Sequence, residues 1–188
     1  MMRTLFLFVG QLFFIPHGIL FLLSNNKEVI VRDLYARTIP KQGLVNQCYD
    51  LTKELLLSKY FRTLFYFRTQ GIFSKILRIF YPKQDSFTID VQTKIGAGLQ
   101  LAHPYATILN ATSIGENVYV NHLVTLGEKD GKKPIIGNYV QLHAGCIVIG
   151  GVNIGDNAII GAGAVVVKDV PKHGVAVGNP ARIIEKNS

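Results

Sequence analysis

The chain contains no tryptophan and only two cysteines and two methionines in 188 residues. Two thiols, Cys48 and Cys146, exclude a disulfide-stapled scaffold and a multi-cysteine zinc module. Charge is also sparse: 17% of residues are charged and 48% hydrophobic, which excludes a disordered chain. Acids are scarcest in the first half. Residues 1–88 hold 12 Lys/Arg and 5 Asp/Glu, whereas residues 89–188 hold 8 and 7, so nearly all of the net +8 lies before residue 89. Glycine runs the other way, with 14 of 18 after residue 88. This length suits one domain or one domain with an appendage. The change in composition divides it into 1–87 and 88–188, with the boundary near Pro82–Phe87. No nucleic-acid-binding module accompanies the basic balance, so no nucleic-acid partner is expected.

The run Leu5–Leu23 is almost wholly apolar, interrupted by Gly10, Gln11, Pro16, His17 and Gly18. It barely reaches the ~20 residues a membrane span needs, and Pro16 and Gly18 should break it. Arg3 ahead of Leu5–Ile15 resembles a signal peptide, but Leu22, Leu23 and Ser24 do not form a small-residue cleavage site. Helices packed on the rest of the protein are the first reading and membrane contact the second. Asp33–Leu57 reads as helical with a break at Pro40 and Gly43. Leu44, Cys48, Leu51, Leu55 and Leu56 recur at three and four residues on one face. From Lys53 to Lys83 there are seven basic residues and one acid, Glu54, interleaved with aromatics. Such a stretch suits either an anionic membrane surface or a core helix with a solvated face.

The second half repeats every six residues. Aliphatic residues fall at Ile89, Ile95 and Leu101, then at Ile114, Val120 and Leu126. They resume at Ile136, Leu142, Val148, Ile154, Ile160 and Val166. One residue is extra between Leu101 and Ile114, and four between Leu126 and Ile136. Glycine follows the aliphatic residue at 96, 115, 127, 137, 155 and 161, where it is expected to permit a turn that a Cβ would obstruct. A small or β-branched residue follows four positions on, as at Val124, Cys146 and Ala164, so Cys146 reads as buried filler. Three hexads close one triangular coil, and stacked coils bury a continuous aliphatic ladder. The expected fold is mainly β: a left-handed parallel β-helix of four to five coils, preceded by a small α-helical N-terminal region.

Within Thr88–Ile184 the stretches Ile95–Pro104, Val124–Gly127, Ile160–Pro171 and Val177–Ile184 resemble the left-handed β-helix acyltransferases. The match is strongest to the serine acetyltransferase branch, and within it to short members associated with polysaccharide synthesis. The resemblance implies acetyl-CoA as co-substrate, no metal, and a homotrimer or dimer of trimers with sites shared between neighbours. Attack is expected directly from the acceptor hydroxyl, since no Ser or Cys stands in an activated constellation.

A hydroxyl attacks a thioester only after a base takes its proton. By resemblance that base is His103, in Leu101-Ala102-His103. Three family positions differ: an acid before the histidine is Ala102, an orienting acid is Thr88, and an Arg-His pair is Lys132-Lys133. Asp33, Asp90, His122, Lys132 and Lys133 are therefore candidates around the acceptor, with L-serine or a sugar hydroxyl both open. Gly127, Ala144 and Ala162 are placed by resemblance along the pantetheine arm, and Lys168 and Arg182 near the phosphates. His103, His122 and His143 stand 19 and 21 apart. The first two are expected at the same place in successive coils, and a zinc site is a minor alternative. The polar segment Glu128–Pro134 reads as an exposed loop beside the site. A non-catalytic trimer is the remaining alternative. An intracellular thioester donor implies a cytoplasmic protein, and contact of the basic apolar N-terminal region with the inner membrane surface stays open as the second reading.

Overall fold

A computed structural model describes residues 9–184. The start of the Leu5–Leu23 run lies outside them. The chain divides into two compact units, Met1–Gln84 and Asp85–Ser188.

The first unit is helical: α1 (Ile15–Leu23), α2 (Lys27–Leu34), α3 (Leu44–Leu57), α4 (Lys59–Thr69) and α5 (Ile72–Phe80). The apolar run is broken just ahead of Pro16: residues 9–12 are helical, Phe13 and Phe14 form a turn, and α1 begins at Ile15. Pro16 sits in the first turn of α1, where its missing N–H has no partner to lose, and Gly18 lies inside that helix without breaking it. Ser58 caps α4 by accepting from Phe61 N at 3.1 Å. Phe14, Phe21, Ile30, Leu51, Leu55 and Phe65 form the core. The basic aromatic stretch splits between two environments. Helix α4 is a core helix that buries Phe61, Leu64, Phe65 and Tyr66 together with Arg62 and Arg68. Helix α5 buries only Ser74.

One histidine is part of this core. His17 is fully buried, and its Nε2 lies 2.8 Å from Tyr66 Oη, which itself donates to Tyr81 O at 3.0 Å. The phenol has one hydrogen, so His17 donates to it from Nε2. Its Nδ1 finds no partner among the described residues. Burial, helped by the Arg62 charge, pulls the imidazole pKa down to about 4.

The second unit is a left-handed parallel β-helix. Its first strand begins at Phe87, whose side chain is buried. Sheet A stacks β1 (Phe87–Ile89), β4 (Thr107–Leu109), β7 (Thr125–Gly127), β10 (Ile147–Ile149) and β13 (Val165–Val166). Sheet B stacks β2 (Lys94–Ile95), β5 (Ser113–Ile114), β8 (Ile135–Ile136) and β11 (Asn153–Ile154). Sheet C stacks β3 (Gln100–Leu101), β6 (Tyr119–Val120), β9 (Gln141–Leu142), β12 (Ile159–Ile160) and β14 (Val175–Val177). A last strand, β15 (Arg182–Ile184), closes sheet C by pairing antiparallel with β14. Ile95, Ile114, Ile136 and Ile154 are register partners in sheet B. Leu101, Val120, Leu142 and Ile160 are partners in sheet C.

The structure resolves where the hexad slips. In sheet A, Ile89 pairs with Leu109 and Leu109 with Leu126, so Leu109 is the ladder residue of the second coil. The 13-residue step is therefore eight from Leu101 to Leu109, then five to Ile114. Two residues are added at one corner and one is removed at the next. The last coil is shortened too, since Val170 bridges Ile154 four residues after Val166.

The hexad glycines are needed for a different reason from the one expected. Gly96, Gly115 and Gly137 have ordinary φ. A Cβ on Gly115 would stand 2.6 Å from the carbonyl carbon of Gly137, and one on Gly96 2.7 Å from that of Gly115. The next coil occupies that space. The left-handed turn residue comes two positions later and is often not glycine, as at Asn117 (φ 54°), Tyr139 (φ 57°) and Asn157 (φ 59°).

Replacing Gly115 by Ala should push two coils apart and cost the β-helix about 1–3 kcal/mol, read as an earlier thermal melt with the helical signal retained. His17 binds its proton more weakly when folded than the ~6.5 of the unfolded chain. The stability it confers is full above pH 6.5 and falls as the pH drops towards 4, by about 3 kcal/mol in all. Denaturation followed at 222 nm should show this loss in the wild type and not in His17→Gln.

Candidate active site

Each coil has three corners. The corner from sheet C to sheet A carries His103, Tyr105 and His122. In regular coils the fourth residue of this corner donates its N–H to the third residue of the coil before. Gly163 N donates to Ala144 O, and Gly145 N to His122 O. Continuing this series, Leu123 N donates to Tyr105 O at 2.8 Å. Tyr105, His122, Ala144 and Ala162 are thus one column. Ala106 (φ 47°) matches Leu123 (φ 58°) and Gly145 (φ 70°). The expectation that His103 and His122 occupy the same place is overturned. His103 and Pro104 are the two added residues. A tight turn from Tyr105 N to His103 O, 2.6 Å long, holds them, with His103 itself at φ 54°. His103 and Tyr105 are exposed, while Ala102 and Pro104 are buried beneath them.

His122 is positioned by its neighbours. Its Nδ1 lies 2.6 Å from Asn121 Oδ1, and Asn121 Nδ2 donates to Tyr119 Oη at 3.2 Å. The carboxamide oxygen also accepts from His122 N at 2.8 Å, so the ring proton sits on Nδ1 and Nε2 keeps its lone pair. His143 belongs elsewhere. Its ring packs against Tyr119 at 5.8 Å and lines an open polar groove of about 460 Å³ on the outer face of sheet C, with Gln100, Tyr139 and Gln141. No group of three metal-ligating side chains comes together among the described residues. Cys146 is fully buried, and burial pushes its thiol up to about 12, which leaves no thiolate.

The corner from sheet A to sheet B carries a second set. Lys133 Nζ lies 3.3 Å from Asp90 Oδ1. The segment after Gly127 is an ordered hairpin rather than a plain loop. Lys129 and Lys132 exchange both backbone hydrogen bonds around Asp130 (φ 54°) and Gly131 (φ 72°), as a type I′ turn requires. The Asp-Gly pair was the sequence signal for it. Gly127 ends β7 at this corner, and Lys168 follows β13 there.

The predicted residues therefore fall into separate groups. His103, His122, Ala144 and Ala162 share one corner. Asp90, Lys132, Lys133, Gly127 and Lys168 lie at the other end of sheet A, about 10 Å away by strand length. The expected loop is not beside His103 within one chain. Arg182 is on the closing strand β15. Asp33 belongs to the helical unit, where it is buried and receives Arg68 Nε at 2.8 Å and Nη2 at 3.3 Å. That pairing takes the carboxylate out of consideration for an acceptor.

Residues 133–168 match the family model for bacterial transferase hexapeptide (six repeats). A mitochondrial serine acetyltransferase 3 from Arabidopsis thaliana is 42% identical over 107 residues, covering 53% of this chain. The chain spans 27% of that relative's length. A serine acetyltransferase of Neisseria gonorrhoeae in complex with serine is 28% identical with a TM-score of 0.67, over 85% of this chain and 69% of that one. A serine acetyltransferase in complex with CoA is 28% identical with a TM-score of 0.65, over 84% of this chain and 68% of that one.

Removing one partner of a buried ion pair leaves the other charge stranded. Asp33→Ala should lower the stability of the helical unit by about 3–5 kcal/mol and leave the KM for any acceptor unchanged. An altered KM at full stability would return Asp33 to the acceptor site.

Proposed function

We propose that this chain is an acetyl-CoA-dependent O-acetyltransferase acting on a small hydroxyl acceptor, with L-serine as the first candidate. One observation carries the reading. The two residues added at the corner after Leu101 lift His103 out of the ladder, onto an exposed turn braced by Pro104. The serine- and CoA-bound relatives supply the substrate classes.

His103 takes the proton of the acceptor hydroxyl as its oxygen attacks the thioester carbonyl carbon. Backbone N–H groups hold the oxyanion. The tetrahedral centre then collapses, the C–S bond breaks, and the CoA sulfur recovers the proton from the imidazolium. His122 Nε2, with its lone pair outward, is an acceptor-binding atom in this scheme. The small side chains of Ala144 and Ala162 let the pantetheine arm approach the corner, and Gly127, Lys168 and Arg182 serve the rest of CoA. Lys132 holds an anionic acceptor group, with Lys133, paired to Asp90, adding positive charge beside it. They lie at the far end of sheet A from His103, so the complete site needs the hairpin of a second copy. This supports a trimer with shared sites. An intracellular thioester donor supports a cytoplasmic location.

A sugar hydroxyl is the second reading. Asp90 is held by Lys133 and Asp33 by Arg68, so neither is a free carboxylate for an amino acid's ammonium group.

With acetyl-CoA and L-serine, free CoA should be released, and His103→Ala should lower kcat by about 10²–10⁴-fold. Mixing His103→Ala with a Lys132→Ala/Lys133→Ala variant should restore part of the activity, because some sites then pair two intact halves. Release with sugars alone supports the second reading. The absence of any His103-dependent release, together with no binding of acetyl-CoA by calorimetry, rules out both and leaves a non-catalytic assembly.

A further inference from the structure

Helix α5 is turned against the usual amphipathic rule. It buries Ser74, whose Oγ lies 2.9 Å from Thr69 Oγ1 and donates to Gln70 O at 3.3 Å. Leu77 is half-buried against the core. Ile72, Phe73, Ile76, Ile79 and Phe80 point outward and are 64%, 70%, 45%, 76% and 72% exposed. Their spacing is that of a single helix face. Five large apolar side chains on one exposed stripe mark a docking surface rather than scattered surface residues.

The charge around the stripe says what covers it. At about 100° per residue, Lys75 falls at the edge of the stripe beside Ile79, and Arg78 lies about 60° further round, also exposed. No acid occurs between Glu54 and Asp85. Residues 1–84 hold 12 Lys/Arg and 4 Asp/Glu, so this unit carries the whole +8 of the chain. A second copy would bring an equally cationic unit to the same face, and like charges oppose that contact. Acidic lipid head groups provide the opposite charge, and the acyl boundary beneath them takes up Phe73 and Phe80. No helix among the described residues is long and apolar enough to cross a membrane.

We propose that α5 lies flat in an anionic membrane surface, with its Ile72–Phe80 stripe in the acyl boundary and Lys75 and Arg78 at the head groups. This mode of attachment is independent of the acetyl-transfer reading, because it is read by binding alone. Co-sedimentation of the full chain with vesicles provides the test. Vesicles of equal parts phosphatidylcholine and phosphatidylglycerol should bind the protein, and more weakly as salt rises. Vesicles of phosphatidylcholine alone should bind it far less. Lys75→Gln/Arg78→Gln should lower partitioning about 30-fold, from ~1 kcal/mol per basic residue near the surface. Phe73→Ser/Ile79→Ser should abolish it, and both variants should keep the wild-type melting temperature because the sites are exposed. Equal binding to both vesicle types, no binding, or unchanged binding by the serine variant would overturn the proposal. So would a fall in solution mass of the serine variant in the absence of lipid, which would show that a second copy covers the face.

Discussion

The β-helix depends on how closely its coils stack. Parallel strands must sit about 4.8 Å apart to share hydrogen bonds, and at the B-to-C corners that spacing leaves no volume for a side chain on Gly96, Gly115 or Gly137. The aliphatic ladders are aligned by the same spacing, with one partner above and one below each residue. An irregularity in sequence length cannot be absorbed inside this stack without losing a rung, so it is expelled at a corner. Both large irregularities of this chain behave that way. One becomes the His103–Pro104 turn and the other the Lys129–Lys132 hairpin. The rigid stack is what makes those two corners precise enough to hold chemistry.

Much of this was legible in the residues. The six-residue aliphatic step predicted the ladders of sheets B and C, since each of those corners has constant length. Sheet A was harder. A step of 13 does not say which corner is long, and Ile108 beside Leu109 offers two apolar choices for one interior place. The hydrogen bond from Leu123 to Tyr105 and the pairing of Leu109 with Leu126 show that Tyr105, not His103, stacks on His122. The glycines were located correctly for an incomplete reason. Sequence shows that a Cβ is excluded, but not whether a turn or a neighbouring coil excludes it. Asp33 shows the opposite failure. A carboxylate alone in a basic region looks available, and its engagement by Arg68 is a contact between helices far apart in sequence.

The helical unit obeys a looser constraint. Its core fixes which aromatics go inside, and His17 is held there neutral between Tyr66 and the surrounding rings. The basic stretch that holds α5 reads as amphipathic from its interleaved aromatics, but a period carries no sign. It cannot distinguish a stripe that faces the core from one that faces outward. Ser74, a small side chain opposite the stripe, allows the helix to sit close with its apolar side free. The two units thus divide the molecule's tasks by material. One is a stiff, nearly charge-neutral stack, and the other a cationic helical cluster.

The antiparallel strand β15 has a consequence for how such a stack ends. Each parallel coil presents a row of unpaired amides and carbonyls to whatever comes next, which is also how a fibril recruits its next layer. By reversing direction over β14, β15 occupies sheet C with a strand of the wrong polarity to seed another coil. The turn of the spiral is broken at that point in sheet C, which works against end-to-end continuation by a second molecule. The reversal allows a solenoid with an aliphatic interior to remain a unit of fixed length.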